Sequence, residues 1–145
     1  GKPWLKQQFG LETPPENCAW IRADLADIWR LMAQDGVQLA RHYWLYPNPY
    51  PKPKHLGLRW SGHPVLPTAL SLGGVLCCRS NWRVYVEELA QAIYYLSAVR
   101  GCLTPVNGSE QPLTFFERKY AASGQALWQY EVDLRAVTLG WYGDA

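Results

Sequence analysis

The sequence predicts an α/β fold with a mostly parallel sheet. Segments of strand character alternate three times with segments of helical periodicity, and one more strand pattern follows near the carboxyl end. Of the 145 residues, 48% are hydrophobic, 14% are aromatic and only 18% are charged, which excludes intrinsic disorder. The length suits one domain and the chain contains no internal repeat, so we predict a single domain over residues 1–145.

The first strand-helix unit lies near the amino end of the chain. Residues 4–9 are typical of the end of a helix, and residues 18–22 are predicted to form a short strand. Asp24 is the expected N-cap of a helix that runs to Gln34. Apolar residues recur there at helical spacing, and Gly36 stands where a C-terminal glycine is common.

Two more units and a last strand follow. Residues 39–46 predict an aromatic strand that runs into a proline-rich loop, and a helix is expected around residues 63–71. Residues 75–79 predict a third strand, after which Asn81 is expected to open a long amphipathic helix. The buried face of that helix is marked by Tyr85, Leu89, Ile93 and Leu96. Apolar and polar residues alternate over residues 126–134, which is typical of a half-buried strand.

Charge and cysteine usage narrow the class of protein. The net charge of +2 is too small to argue for nucleic-acid binding by itself. The four cysteines have no C-x-x-C spacing, so we predict buried free thiols rather than metal ligands or disulfides at Cys18, Cys77, Cys78 and Cys102. No apolar run approaches the roughly 20 residues that cross a bilayer, and no secretory leader pattern opens the sequence. We therefore expect a cytoplasmic protein without a membrane partner.

Polar residues follow three of the predicted strands directly. These residues are Asp24, Asn48 and Asn81. Because ligands of open α/β sheets bind outside the carboxyl ends of the strands, we predict that all three belong to one site. Each also has a plainer interpretation, since Asp24 and Asn81 suit helix N-caps and Asn48 suits a turn.

Three blocks of sequence carry a resemblance to a known family. Residues 47–55 read P-N-P-Y-P-K-P-K-H and are followed by Arg59. Residues 73–85 contain two glycines, a strand, S-N-W and a tyrosine, and residues 114–119 read T-F-F-E-R-K. In this order they resemble the D-P-W-P-K-x-x-H-x-x-R-R, G-G-x-(five residues)-T-D-x-x-x-Y and T-x-x-E-x-(K/R) segments of the tRNA guanine-N7 methyltransferases. The resemblance covers most of residues 18–136.

The resemblance implies a Rossmann-like fold with an antiparallel C-terminal strand. It also implies S-adenosylmethionine-dependent methylation of guanine N7 in tRNA or another structured RNA. By this resemblance, Asp24 contacts the adenine region of the cofactor, and Asn48 occupies the catalytic, cofactor-side position. The substrate-binding positions are Lys52, Asn81, Thr114 and Glu117.

The chemistry of this reaction suits the residue types. Guanine N7 has no proton to remove, so methyl transfer needs alignment and charge placement more than a general base. The carboxylate of Glu117 can accept hydrogen bonds from N1 and N2 of guanine, although Thr114-x-x-Glu117 is also a capping box. Basic residues around Tyr50 suit phosphates beside a stacked base, with a solvated loop as the alternative. They are Lys52, Lys54, His55 and Arg59, while Trp44, Trp82 and Trp128 are expected in the core.

Several departures from the family pattern leave alternatives open. Both signature aspartates are asparagine and the signature tryptophan is Tyr50. The N-P-Y sequence also resembles the (D/N)-P-P-(Y/F/W) loop of amino-group methyltransferases, which favours adenine N6 as a second substrate atom. The glycine-rich cofactor loop is absent from the sequence, so the first two strands of the parent sheet are expected to be missing. A non-catalytic RNA-binding or interaction module is therefore the competing class.

The missing strands have a structural consequence. The parent strand order is 3-2-1-4-5-7-6, so residues 18–22 and residues 39–46 cannot be neighbours, and strand edges are left unpaired. We expect the segment before residue 36 to be displaced, to pair with a second copy of the chain, or to lean on a separate piece. We also expect the chain alone to bind S-adenosylmethionine very weakly and to be inactive alone.

Overall fold

The structure is a computed structural model that describes residue 13, residues 15–106 and residues 112–135, so the predicted helix end at residues 4–9 lies outside the described residues. Along the chain the elements are helix α1 (Leu25–Gln34), strand β1 (Arg41–Leu45), two 3-10 helices (Pro53–Leu58 and Trp60–Gly62), helix α2 (Leu66–Ser71), strand β2 (Val75–Ser80), helix α3 (Arg83–Ser97), strand β3 (Cys102–Pro105), helix α4 (Phe115–Ala122) and strand β4 (Trp128–Asp133). The α/β class is confirmed.

Within the described residues the sheet has four strands in the order β1-β2-β4-β3. Strand β1 is parallel to β2, while β4 is antiparallel to both of its neighbours. The antiparallel C-terminal strand is confirmed, but the prediction of a mostly parallel sheet is wrong. Although β1, β2 and β3 point the same way, β4 inserts between β2 and β3 and makes both of those contacts antiparallel.

The predicted strand at residues 18–22 is wrong. This segment has no strand structure, and four of its five side chains are exposed, with Ile21 68% exposed. It has no sheet neighbour among the described residues to bury its apolar side chains. The predicted displacement of the segment before residue 36 is also wrong for α1, because Ala26 and Trp29 of this helix are buried in the core.

The core lies between one face of the sheet and helices α1, α2 and α3. On the sheet side it contains Leu76, Cys78, Tyr130 and Val132. Helix α3 contributes the predicted apolar face, with Tyr85, Leu89 and Ile93 buried and Leu96 partly buried.

Three tryptophans join α1 to β1 and to the second 3-10 helix. The ring centroid of Trp29 lies 5.0 Å from that of Trp44 and 4.9 Å from that of Trp60. The core assignment of Trp44 is confirmed. Trp82 and Trp128 are partly buried and pack against the core, each with an arginine guanidinium over its ring.

The cysteine prediction is confirmed at two positions and wrong at two. Cys77 and Cys78 are buried free thiols on opposite faces of β2, whereas Cys18 and Cys102 are exposed free thiols. Cys18 lies in the exposed segment before α1, and Cys102 lies on the edge strand β3, so no layer of the described residues covers either thiol.

Two strand edges lie at the outside of the sheet. Strands β1 and β3 each pair with one strand in the part of the chain that the structure describes. Self-association through these edges stays a prediction. Among the described helices, none combines the length and the apolar character that a membrane span requires.

Candidate functional site

A cavity of about 500 Å³ lies beside β1, between α1 and the proline-rich loop. Asp24 from the start of α1 and Asn48 from the segment after β1 both line it. The predicted cofactor-binding residues are therefore brought together, although 24 positions separate them in the sequence. The remaining wall is largely aromatic and includes Trp29, Trp44, Tyr50, Trp60 and Tyr85.

Asp24 is the N-cap of α1, as one of its two interpretations predicted. One carboxylate oxygen, Oδ1, accepts a hydrogen bond from the backbone N–H of Asp27 at 3.2 Å. The residue is exposed, and its other carboxylate oxygen accepts no hydrogen bond from the described part of the chain. The cap and a ligand contact are therefore compatible, because each uses a different oxygen.

The side chain of Asn48 closes a turn with the backbone two residues further on. Its Oδ1 accepts a hydrogen bond from the backbone N–H of Tyr50 at 3.2 Å, so the turn interpretation is confirmed. This bond identifies the oxygen of the side-chain amide, and the amide nitrogen has no partner among the described residues. Asn48 thus offers two N–H donors to a ligand of the cavity.

The segment that contains Asn48 is held in a strained backbone conformation at both ends. Tyr46 has φ 54° and Tyr50 has φ 43°, in the left-handed region that residues other than glycine seldom adopt. Such positions persist only where surrounding contacts impose them, and they are common at functional sites. No sequence signal identified either tyrosine as strained.

The cavity wall contains buried polar groups without hydrogen bonds. Trp44 Nε1 and both ring nitrogens of His42 have no partner of good geometry among the described residues. Burial lowers the pKa of His42 to about 4, and the backbone of Gly73 offsets this only in part, so the ring is neutral at physiological pH. Sequence reasoning missed His42, although it lies two positions before Trp44 and therefore shares its face of β1.

Glu117 lies apart from this cavity, in the first turn of α4. It is 3% exposed, and its carboxylate accepts hydrogen bonds from the Tyr46 hydroxyl at 2.6 Å and from Arg79 at 2.7 Å. The backbone N–H of Leu113 donates to the other oxygen at 2.7 Å, and Thr114 caps the helix by accepting from the N–H of Glu117. The capping-box interpretation is confirmed, with the reach back falling one residue earlier than usual.

Opposing effects act on the ionisation of this group. Burial alone would raise the pKa of Glu117, but the hydrogen bonds from Tyr46, Arg79 and the Leu113 amide together lower it. Burial and then the Glu117 carboxylate raise the pKa of Tyr46, so its hydroxyl stays protonated and donates. The Glu117 carboxylate is therefore charged and already occupied by three donors.

Asn81 lies just past the end of β2, as predicted, but it does not cap α3. Its side-chain nitrogen donates to Gln125 at 3.2 Å, and the N-cap position is Trp82. The N-cap interpretation of Asn81 is wrong, because its side chain bonds Gln125 and accepts no backbone N–H of α3 among the described residues. Asn81 and Glu117 lie near the two ends of α4 rather than in the cavity with Asp24.

The basic loop separates into exposed and buried members. Lys52 and Lys54 are exposed, and the ring of His55 lies edge-on to that of Tyr50 at 5.8 Å. Arg59 is only 4% exposed and forms an ion pair with Glu88, so it is a structural residue rather than a free phosphate ligand.

Comparisons with known proteins add no assignment. No protein-family model matches the chain, and no curated protein matches it. The fold and the site define an α/β protein with an open mixed sheet and a polar, aromatic-walled cavity beside its β1 edge. The resemblance to the tRNA guanine-N7 methyltransferases rests on the sequence blocks alone.

Proposed function

We propose that this chain takes part in S-adenosylmethionine-dependent methylation of RNA, at N7 of guanine in tRNA. The observation that carries the proposal is the joint position of Asp24 and Asn48 on one cavity. The resemblance assigns these two residues to the cofactor, and both line the same cavity although 24 positions separate them in the sequence. A cytoplasmic location is part of the same proposal.

The strand order supports the proposal. Strands β1-β2-β4-β3, with β4 antiparallel, correspond to positions 4-5-7-6 in the order 3-2-1-4-5-7-6 that the resemblance implies. Asn48 follows the first of these strands and Asn81 follows the second. Both residues therefore lie at carboxyl ends of parallel strands, where ligands of open α/β sheets bind.

The residues of the cavity fit the cofactor in part. A volume of about 500 Å³ lies within the range of small-molecule sites, and aromatic walls suit an adenine ring. The free carboxylate oxygen of Asp24 can accept a hydrogen bond, and the unpartnered Trp44 Nε1 is a buried donor. When bound, S-adenosylmethionine supplies an electrophilic methyl group on a sulfonium.

The geometry of Asn48 favours guanine N7 over an exocyclic amine. An amino-group methyltransferase needs side-chain and backbone carbonyls that accept from the amine, and the N–H of Tyr50 already takes one of the two lone pairs of Asn48 Oδ1. The amide N–H donors that remain suit the O6 acceptor of guanine, which leaves the lone pair of N7 free to attack the methyl group. Because N7 carries no proton, an amide in place of the family's aspartate loses no general base.

The competing proposal is a non-catalytic RNA-binding module. It is favoured by the occupied carboxylate of Glu117, which the resemblance assigns to substrate binding. The two proposals differ in the role of Asn48. The catalytic proposal places this residue beside the reacting methyl group, whereas a binding module needs only contacts with RNA.

Replacement of Asn48 tests the catalytic proposal. Asn48→Ala should reduce methyl transfer on the order of ten- to a thousandfold, while the free energy of unfolding changes by about 1 kcal/mol or less, since the side chain is exposed. The assay transfers labelled methyl groups to tRNA with the protein in its complete natural form and identifies the methylated nucleoside by mass spectrometry.

Asn17→Ala, at an exposed position away from the cavity, is the matched control. If the product is N6-methyladenosine, guanine N7 is not the methylated atom and the amino-group alternative is correct. Tight tRNA binding without methyl transfer by the natural protein would favour the non-catalytic module.

Lys52 is expected to contact an RNA phosphate. Lys52→Ala should weaken tRNA binding and lower the slope of log affinity against log salt by roughly one counterion unit, because one phosphate contact is lost. Fluorescence anisotropy at a series of salt concentrations measures this slope. Arg30→Ala removes an exposed cation from α1 and should leave the slope unchanged. An unchanged slope for Lys52→Ala would mean that Lys52 is merely solvated.

A further inference from the structure

The five-residue segment from Tyr46 to Tyr50 begins and ends in left-handed backbone conformations. Neither end is a glycine, so both conformations cost free energy that surrounding contacts must offset. Asn48 lies at the centre of this segment, with its side chain already fixed by the N–H of Tyr50. What holds the two ends therefore determines where Asn48 lies.

A buried ion pair holds the first end. Arg79 on β2 donates through Nη1 to Glu117 Oε1 at 2.7 Å and through Nε to Gln129 at 2.8 Å. The same Glu117 oxygen accepts the hydroxyl of Tyr46 at 2.6 Å, and the N–H of Tyr46 donates to the carbonyl of Arg79 at 2.8 Å. Tyr46 is thus bonded at both its backbone and its side chain.

A second ion pair, formed by a buried arginine and a partly exposed glutamate, holds the other end. Arg59 donates through Nε to the carbonyl of Tyr50 at 3.1 Å. Its Nη1 donates to both oxygens of Glu88 at 2.8 and 3.0 Å, and its guanidinium carbon lies 4.7 Å from the ring centroid of Trp82. With only 4% of Arg59 exposed, this guanidinium is fixed from three sides.

We infer that the Arg79–Glu117 and Arg59–Glu88 ion pairs are two clamps that position Asn48 by holding Tyr46 and Tyr50. Glu117 then acts through Tyr46 rather than by contact with a base, since its carboxylate is buried and carries three donors. The role of Asn48 in catalysis rests on the proposed function, whereas the clamps themselves do not.

The test compares two clamp variants with two matched controls by NMR. Tyr46→Phe removes only the hydroxyl that reaches Glu117, and Glu88→Gln removes the charge that holds Arg59. The controls are Tyr43→Phe, an exposed tyrosine of β1, and Glu87→Gln, which belongs to an exposed ion pair on the same helix as Glu88.

The measured quantities are the water exchange rate of the Tyr50 amide and the side-chain amide shift of Asn48. Both clamp variants should accelerate exchange roughly two- to tenfold, the range that one hydrogen bond of ordinary strength supports, and should shift the Asn48 signal. The controls should leave both unchanged. Exchange of the β2 amides serves as the reference for global stability.

The outcomes separate the clamps from the proposed function. If the Tyr50 amide and the Asn48 signal stay unchanged in both clamp variants, the clamps are overturned. The proposal is also overturned if the Tyr50 amide and the Asn48 signal change only as much as the exchange rates of the β2 amides do. In that case the ion pairs contribute to global stability and do not position Asn48. If the clamp variants behave as expected but Asn48→Ala does not affect methyl transfer, the clamps stand and the catalytic proposal fails alone.

Discussion

Gly74→Ala is expected to destabilise the folded chain by roughly 3 kcal/mol or more, because it combines a strained backbone with a steric clash. Gly74 has φ +73°, and a Cβ placed there would clash with the carbonyl oxygen of Leu39 and lie 2.7 Å from that of Ala40. The Ala40 oxygen cannot move away cheaply, since it accepts the N–H of Val75 at the start of the parallel pairing.

Urea unfolding followed by tryptophan fluorescence measures this loss. Gly124→Ala is a matched control, because Gly124 has φ +79° but nothing lies within 4 Å of a Cβ built there. It should cost only the left-handed backbone strain, roughly 1–2 kcal/mol. Equal losses in the two variants would show that the close approach to β1 does not matter.

This close approach gives a physical reason for one block of the resemblance. The two glycines at the start of β2 both have positive φ, at +71° for Gly73 and +73° for Gly74. They turn the chain from α2 into a strand that must pass directly beside β1. A glycine pair before a strand therefore indicates the turn geometry itself, whichever reaction the protein performs.

The helices could be predicted from the sequence because their signals are local. Asp24 and Gly36 bracket α1, and apolar residues at helical spacing identify the buried face of α3. Strands depend on a neighbour that the sequence does not name. Residues 18–22 have strand character but find no partner among the described residues, whereas β3, with only four residues and a proline, had no pattern to reveal it.

The candidate site shows the same division. Asp24 and Asn48 could be predicted because Asp24 has the sequence position of a helix N-cap and Asn48 follows the end of a strand, but the same rule failed for Asn81, which does not line the cavity. The two clamps could not be predicted from the sequence, since their residues come from separate elements. Tyr46 and Glu117 are 71 positions apart, and Arg59 and Glu88 are 29 apart. Sequence spacing does not indicate that distant charges will be buried together.

Glu117→Ala is expected to destabilise the chain by about 3–5 kcal/mol, because it breaks the buried Arg79–Glu117 ion pair. It also removes the acceptors of the Tyr46 hydroxyl and of the Leu113 N–H. The pKa of Glu117 is lowered in the folded chain, so its stabilising effect is present at neutral pH. That effect should be lost as the pH falls through this lowered pKa.

Urea unfolding at a series of pH values measures both expectations, and Glu131→Ala is the matched control. Glu131 pairs with Arg41 at the same N–O distance of 2.7 Å as the buried pair, but both side chains are more than 40% exposed. The control should lose much less stability, since solvent screens an exposed ion pair. The difference between wild type and Glu117→Ala should shrink as the carboxylate becomes protonated below its ordinary pKa range. Burial of the Arg79–Glu117 pair does not set its strength if Glu131→Ala and Glu117→Ala lose equal stability. The same conclusion follows if the stability difference between wild type and Glu117→Ala does not depend on pH.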